Sequence, residues 1–502
     1  MPEPCAHEHL GSVRTALLCG LAGGALSAAI QLPFVGRYGW DRDELYFLSA
    51  ARRPALGYVD FPPLTAWVGW LVREVAGDSL VALRLTCLAA GIAVIVLIAL
   101  MVRELGGGWR AQLASALGWA LLPVGLGSAS IFHPTWFDQL AWAAFLYVAL
   151  RVLGRPEPWL WPVLGLVAGL GLEAKYTIAV LLVAFTVGLL ATPSRRLLAT
   201  RGPWLALGVA VLVFLPNLVW QVQHGWPSVH FASSQNAKTA EDTSRAAYLV
   251  QGLLFLGIAG AVVAVVGVVW LWRRPRLRPL AIVPAVVTLL FLAERGRSYY
   301  PLPGDTIAFA AGIVALGGWL RAGSRVRYAA VGGLAALQLA ALAVAAPLVL
   351  PVRSTASMVR AGTWKDTFYK DELGWPELAD QTARAWRSLP AADRGDGVVL
   401  AANYGEASAL ERYGPSRGVP LVVSGHLSWQ YWRPRKLEQR FAVVVGYDSG
   451  FLGEVCRSWR PLAYIDNRWH IANEERGRLI AGCSLRRPLG ELWHPYVARD
   501  DL

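Results

Sequence analysis

The sequence predicts a polytopic α-helical membrane protein with a C-terminal α/β domain, and three observations carry that reading. Across 502 residues the hydrophobic share is 55%, too much apolar surface for a set of water-soluble domains to bury. The apolar residues gather in runs near the 20 residues needed to cross about 30 Å of hydrocarbon. After about residue 352 the hydropathy falls, and short β-rich runs alternate with helical patterns, the signature of an α/β unit.

About eleven spans are expected, near 15–35, 80–102, 111–130, 136–153, 158–173, 175–192, 203–222, 247–272, 278–293, 305–320 and 328–350. The stretch 158–192 reads either as two short spans or as one long span with a re-entrant piece. The first run is long for a signal peptide and is followed by further spans, so it reads as uncleaved. Domain boundaries are expected at 1–351 for the membrane part, including a first outer loop at 36–79, and at 352–502 for the soluble part.

Alternate connections carry the arginines: Arg103 and Arg110, then Arg151 and Arg155, then Arg195, Arg196 and Arg201. Further groups are Arg273, Arg274, Arg276 and Arg278, and Arg321, Arg325 and Arg327. The positive-inside rule makes these connections cytoplasmic, with the N-terminus inside and the C-terminal domain outside a plasma (cytoplasmic) membrane. The formal net charge of +13 is therefore an orientation signal. It is dispersed between apolar runs, not gathered into the contiguous basic footprint that nucleic acid requires.

In the C-terminal region strands are expected at Gly397–Asn403, Pro420–Ser424 and Phe441–Tyr447, with helices at about Trp375–Ser388 and Glu406–Tyr413. No glycine-rich phosphate fingerprint follows a strand, so this domain reads as a lid or acceptor-binding module. Cys456 and Cys483 both fall here, with a disulfide or two thiols as the alternatives. Cys5, Cys19 and Cys87 lie near or inside apolar segments and read as packing residues.

The first outer loop breaks the charge rule with Arg37, Arg42, Arg52, Arg53 and Arg73. It also concentrates acid and aromatic residues: Tyr38-Gly39-Trp40-Asp41-Arg42-Asp43-Glu44-Leu45-Tyr46-Phe47, then Gly57-Tyr58-Val59-Asp60-Phe61-Pro62-Pro63-Leu64. Interfacial anchoring of tryptophan and tyrosine explains part of this pattern. The chemical alternative makes Asp43 or Glu44 a general base, its pKa lifted by apolar neighbours.

Several motifs in order support the chemical reading: Asp43-Glu44 after the first span, the Tyr58-Val59-Asp60 and Pro62-Pro63-Leu64 stretch, Pro216-Asn217-Leu218-Val219-Trp220, Gly225-Trp226-Pro227, Arg297-Ser298-Tyr299-Tyr300-Pro301, Asn403-Tyr404-Gly405-Glu406 and Ser424-Gly425-His426. Together they resemble glycosyltransferase family 39, the GT-C-type membrane enzymes that include protein O-mannosyltransferases and aminoarabinose transferases.

The resemblance implies a GT-C-like fold and an inverting transfer of a sugar, with mannose as the family's guess. The donor would be a polyprenyl-phosphate sugar, and the acceptor hydroxyl would belong to a lipid, a protein or a polysaccharide. It implies Asp43 as base, with Glu44 beside it, and Arg297, Tyr299, Tyr300 and Lys175 at the donor phosphate. Asp60 becomes a substrate or metal contact, and His133 and Asp138 join it as candidates. A divalent metal cation is the one cofactor considered, and no ligand set with metal spacing assembles from the sequence. Two departures stand out: Phe61 and Tyr46 replace basic residues of the aminoarabinose transferases, which argues against that particular transfer. A transporter or lipid flippase also fits many spans with few polar groups, but here the polar candidates gather at one membrane face.

Overall fold

The computed structural model describes residues 12–155, 157–321, 323–362 and 368–499. They form two compact units, one of Met1–Val35, Val81–Trp220 and Asn236–Val352, the other of Gly36–Leu80, Gln221–Gln235 and Arg353–Leu502. The loop after the first span thus packs with the C-terminal region. The sequence reading groups 36–79 with the membrane part, whereas packing groups Gly36–Leu80 with Arg353–Leu502. The physical reason is packing, because the helix Arg42–Ala51 lies against the helix Tyr404–Tyr413.

In the membrane unit, every expected run contains a helix, but fewer qualify as full crossings. Among the described residues seven helices are long and apolar enough: Val13–Phe34, Leu80–Glu104, Pro134–Gly154, Arg201–Gln223, Pro275–Glu294, Leu302–Leu320 and Arg325–Pro347. Two bent pairs raise the number to as many as nine, Ile178–Leu190 with Pro193–Ala199 at 110° and Arg245–Leu256 with Ile258–Trp272 at 94°.

The shortfall from eleven has local causes. The run 111–130 stops at Ala120, because Leu122 is extended ahead of Pro123, the conformation that a following proline favours. The run 247–272 turns at Gly257, whose φ of 73° a side chain would resist. The run 158–173 yields only the 15-residue helix Leu160–Ala174.

Small residues let the membrane helices approach closely. A Cβ placed on Gly267 would lie 1.7 Å from the Ala308 carbonyl oxygen, and one on Gly312 would lie 1.9 Å from that of Val263. The helices Ile258–Trp272 and Asp305–Leu320 therefore meet backbone to backbone, the geometry that favours association where lipid removes the hydrophobic drive.

The second unit is built on a five-stranded sheet in the order β2-β1-β3-β5-β4. The strands are β1 (Gly397–Ala401), β2 (Val422–Val423), β3 (Phe441–Val445), β4 (Cys456–Tyr464) and β5 (Leu479–Leu485). Strands β1, β2 and β3 run parallel, with Val399 opposite both Val422 and Val443. Strand β5 runs antiparallel to β3 and β4. Val398, Leu400, Ala442, Val444, Ala481 and Leu485 fill the core with Leu452 and Trp493.

Cys456 and Cys483 are joined by a disulfide, which settles the pairing left open by the sequence. Closing a loop of that 27-residue separation restricts the unfolded chain by roughly 3–4 kcal/mol. Cys19 and Cys87 are buried in their helices, and Cys5 lies outside the described residues.

Candidate functional site

The acidic turn at the start of the first loop is organised by a helix cap. Asp41 is the N-cap of Arg42–Ala51, its carboxylate accepting the Asp43 N–H at 2.8 Å. Glu44 turns back to accept the Asp41 N–H at 2.9 Å, completing a capping box. Glu44 is fully buried and is engaged in holding the turn. Burial, with the neighbouring charges of Asp43 and Glu44, pushes the Asp41 carboxyl well above its ordinary range.

Asp43 faces the C-terminal region, where the Tyr404 hydroxyl donates to its Oδ1 at 2.7 Å. Tyr404 sits in the first turn of the helix Tyr404–Tyr413, capped by Asn403 and Glu406 in a second capping box. Its own N–H donates to His426 Nδ1 at 3.3 Å. Burial and then the Asp43 charge push the Tyr404 phenol well above its usual value, so it keeps its proton and donates it in the hydrogen bond. Arg42 is ion-paired with Glu474 and lies 3.6 Å from Asp371, while its guanidinium stands 5.8 Å over the Tyr404 ring.

Asp60 is held in the same manner by another tyrosine. The Tyr46 hydroxyl donates to Asp60 Oδ1 at 2.6 Å and accepts the Ser428 N–H at 3.2 Å. Ser428 Oγ in turn accepts the Val59 N–H at 3.0 Å. Burial raises the Asp60 carboxyl to about 7, against the opposing effect of the Tyr46 hydrogen bond. The Tyr46 and Tyr404 rings are 4.8 Å apart, so two tyrosine–aspartate pairs stand side by side. Phe61 stacks on Tyr58 at 4.6 Å and meets Tyr46 edge-on at 5.6 Å. The two positions that lack basic residues are thus filled by aromatic packing.

The membrane unit carries a separate polar cluster. Lys175, at the end of the helix Leu160–Ala174, donates from Nζ to Thr135 Oγ1 at 3.1 Å. The same hydroxyl is 2.8 Å from His133 Nδ1, which also accepts the Thr135 backbone N–H at 3.2 Å and so makes His133 the N-cap of Pro134–Gly154. The Lys175 ammonium also lies 4.4 Å from the Tyr300 ring centroid and 5.5 Å from that of Tyr299. Cation–π contacts of this kind hold an ammonium in place without neutralising it. Arg297 is exposed on the same loop and adds its positive field to Lys175.

Asp138 is buried, with Thr177 donating to its Oδ2 at 2.7 Å and Trp142 to its Oδ1 at 2.9 Å. Lys175 is not paired with the nearby Glu173, both of whose carboxylate oxygens are buried without a hydrogen-bond partner. The structure therefore brings together Lys175, Tyr299, Tyr300, Asp138 and His133, and separately Asp43, Glu44 and Asp60. Among the described residues no group of three or more histidine, cysteine, aspartate or glutamate side chains is gathered to hold a metal ion. Sequence reasoning gave no role to Tyr404 or Ser428, and assigned Tyr46 only an absence. The sole signal available for Tyr404 was its place in the Asn403-Tyr404-Gly405-Glu406 motif.

Comparison with known proteins bears on the same regions. Residues 60–220 match the family described as dolichyl-phosphate-mannose-protein mannosyltransferase. The lipid A galacturonosyltransferase RgtD of Rhizobium johnstonii is 30% identical over 188 residues, covering 36% of this chain. The match spans only 38% of that relative's length.

Among solved structures, ArnT from Cupriavidus metallidurans bound to undecaprenyl phosphate aligns over 94% of this chain and 98% of its own, with a TM-score of 0.54 at 17% identity. The oligosaccharyltransferase of Archaeoglobus fulgidus in its apo form aligns over 80% of this chain and 64% of its own, with a TM-score of 0.51 at 12% identity. At such identities the likeness speaks for architecture. The chain is a multi-pass membrane protein with the fold of the GT-C-type glycosyltransferases.

Proposed function

We propose that the protein transfers a sugar from a polyprenyl-phosphate donor to an acceptor hydroxyl on the outer side of the plasma membrane, with inversion at the anomeric carbon. The single observation that carries this reading is the Tyr404–Asp43 hydrogen bond. It fixes one carboxylate oxygen of Asp43, and each partner sits in a helix start set by its own capping box. A base must be held in geometry before its proton affinity matters. In the reaction Asp43 takes the proton from the acceptor hydroxyl as that oxygen bonds to the anomeric carbon. The bond from that carbon to the phosphate oxygen breaks, and the lipid phosphate leaves with the electron pair.

The leaving phosphate is a dianion that needs a fixed cation. Lys175 supplies one, seated over Tyr299 and Tyr300, with Arg297 as a second positive group on the same loop. The ArnT structure was obtained with undecaprenyl phosphate bound, a lipid phosphate of the class assigned here to the donor. Asp138 accepts one hydrogen bond on each oxygen, from Thr177 and Trp142, and on this reading positions the helix ends around Lys175. Mannose, from the matched family's description, and galacturonic acid, from the name of RgtD, are the sugars to test first.

The test is incubation of purified protein and native membranes with radiolabelled polyprenyl-phosphate mannose and galacturonic acid. Label is expected to move into a lipid, a protein or a polymer, and its chemical form identifies the acceptor. Uptake of label into proteoliposomes without any glycosylated product would replace this reading with transport.

A further inference from the structure

The second unit holds a cleft that neither the proposed reaction nor the sequence motifs account for. About 480 Å³ in volume, it opens at the carboxyl ends of the parallel strands β1 and β3, the edge of an open α/β sheet where ligands are habitually bound. Ala402 follows β1, Gly446 to Ser449 follow β3, and Gly477 to Leu479 lead into β5; all line the cleft together with Arg499.

Two guanidinium groups face this space, and neither forms an ion pair among the described residues. Arg499 donates to the Ala402 carbonyl at 2.8 Å, and Arg478 donates from Nε to the Glu474 carbonyl at 2.7 Å. These backbone contacts fix the side chains but leave further N–H donors unspent, since each guanidinium carries five. Tyr447 also lines the cleft, stacked on Phe451 at 3.7 Å, its hydroxyl buried and without a hydrogen-bond partner. A ligand oxygen that reached this hydroxyl would supply its missing partner. Two acids oppose this charge: Asp448 in the lining, whose carboxylate is engaged in capping the Phe451 N–H at 2.9 Å, and buried Glu406 directly behind Gly446, which interacts with both Arg478 and Tyr447.

We infer that this cleft binds an oxyanion, a carboxylate or phosphate carried on a saccharide, with Arg478 and Arg499 as its cations and Tyr447 as an added donor. Planar guanidinium forks suit both anions. Ala402 lines the cleft and Tyr404, two residues on, touches Asp43. On the glycosyl-transfer reading above, on which this role rests, the bound saccharide is the acceptor, and its class is acidic sugar.

Binding is measured on the purified full-length protein in detergent by calorimetry, using glucose 6-phosphate, glucuronate and glucose as probes. Wild-type protein is expected to bind at least one of the two anionic sugars roughly tenfold or more tightly than glucose. Whichever of phosphate and carboxylate binds better names the source of the anion. Arg478→Gln and Arg499→Gln are each expected to weaken that binding by about tenfold or more.

Because losing the Arg499 contact with Ala402 could disturb the fold, Tyr447→Phe serves as the second variant, with its ring stack intact and an expected loss of roughly threefold or more. Equal binding of glucose, absence of binding by both anions to about 10 mM, or unchanged affinity in all three variants overturns the inference. Asp43→Asn is expected to bind the anions as wild type does. If anions bind while wild-type protein transfers no sugar, the cleft stands and the glycosyl-transfer reading falls.

Discussion

Tyr404 donates its hydroxyl hydrogen to Asp43 Oδ1 at 2.7 Å across 361 positions of sequence. The candidate base is thus oriented by a residue of the C-terminal sheet unit. A hydrogen bond to a charged group is worth about 1.5–3 kcal/mol.

Tyr404→Phe keeps the ring against Tyr46 and His426 and removes only the donor. The expected result is a fall in kcat of roughly 10–100-fold with KM for the lipid donor little changed. Steady-state kinetics on the folded variant separate this from general damage, which would move both constants or the thermal midpoint.

Glu44 behaves differently, because its carboxylate closes the capping box on Asp41. Glu44→Ala is expected to lower stability by about 1–2 kcal/mol, with turnover per folded molecule held within a few-fold. Thermal unfolding in parallel with the transfer assay checks this. A collapse of turnover at normal stability would return Glu44 to the chemistry.

Asp60 introduces a pH dependence whose sign follows from its raised pKa of about 7. At low pH the folded and unfolded chains both hold the proton, and the group makes no difference. As pH rises from about 4 to 7 the unfolded chain releases the proton first, so folding stability falls; above that range the loss is complete. Its size is at most roughly 4 kcal/mol. Asp60→Asn, which keeps a partner for Tyr46, is expected to flatten that decline when the unfolding midpoint is followed across the window. An unchanged slope would show that Asp60 does not titrate there.

Lys175 is expected to act on the donor alone. Lys175→Met should raise KM for the polyprenyl-phosphate donor by about tenfold or more and weaken inhibition by free polyprenyl phosphate in step. Equal inhibition of the variant and wild type would remove Lys175 from phosphate binding.

Much of the fold was legible because its cause is local. Apolar runs marked every membrane helix, and Val-rich runs marked β1, β2 and β3. Strand β4 escaped notice because it is an edge strand, with Arg457, Arg460 and Pro461 on an exposed ribbon. Such residues blunt an edge and disguise the strand in sequence.

The helix Arg42–Ala51 was hidden by its acidic start, although Asp41 and Glu44 spell a capping box. Bends at Gly257 and beside Pro193 reduced the number of full spans, since length and hydropathy do not register the direction of a helix. Of the candidate site residues, Asp43, Asp60 and Lys175 were proposed from motifs. Tyr404, Ser428 and the partnership of Tyr46 with Asp60 could not be, because they depend on pairings between segments more than 350 residues apart or across a turn whose course sequence does not define.

The most direct test of the central claim is transfer by Asp43→Asn, measured on folded, membrane-inserted protein under saturating lipid donor. The variant retains a side chain that can accept from Tyr404, so the turn should persist while the proton acceptor is lost. The expected result is a drop in kcat of roughly a hundredfold or more with donor binding intact. Transfer at the wild-type rate would contradict the assignment of Asp43 as base.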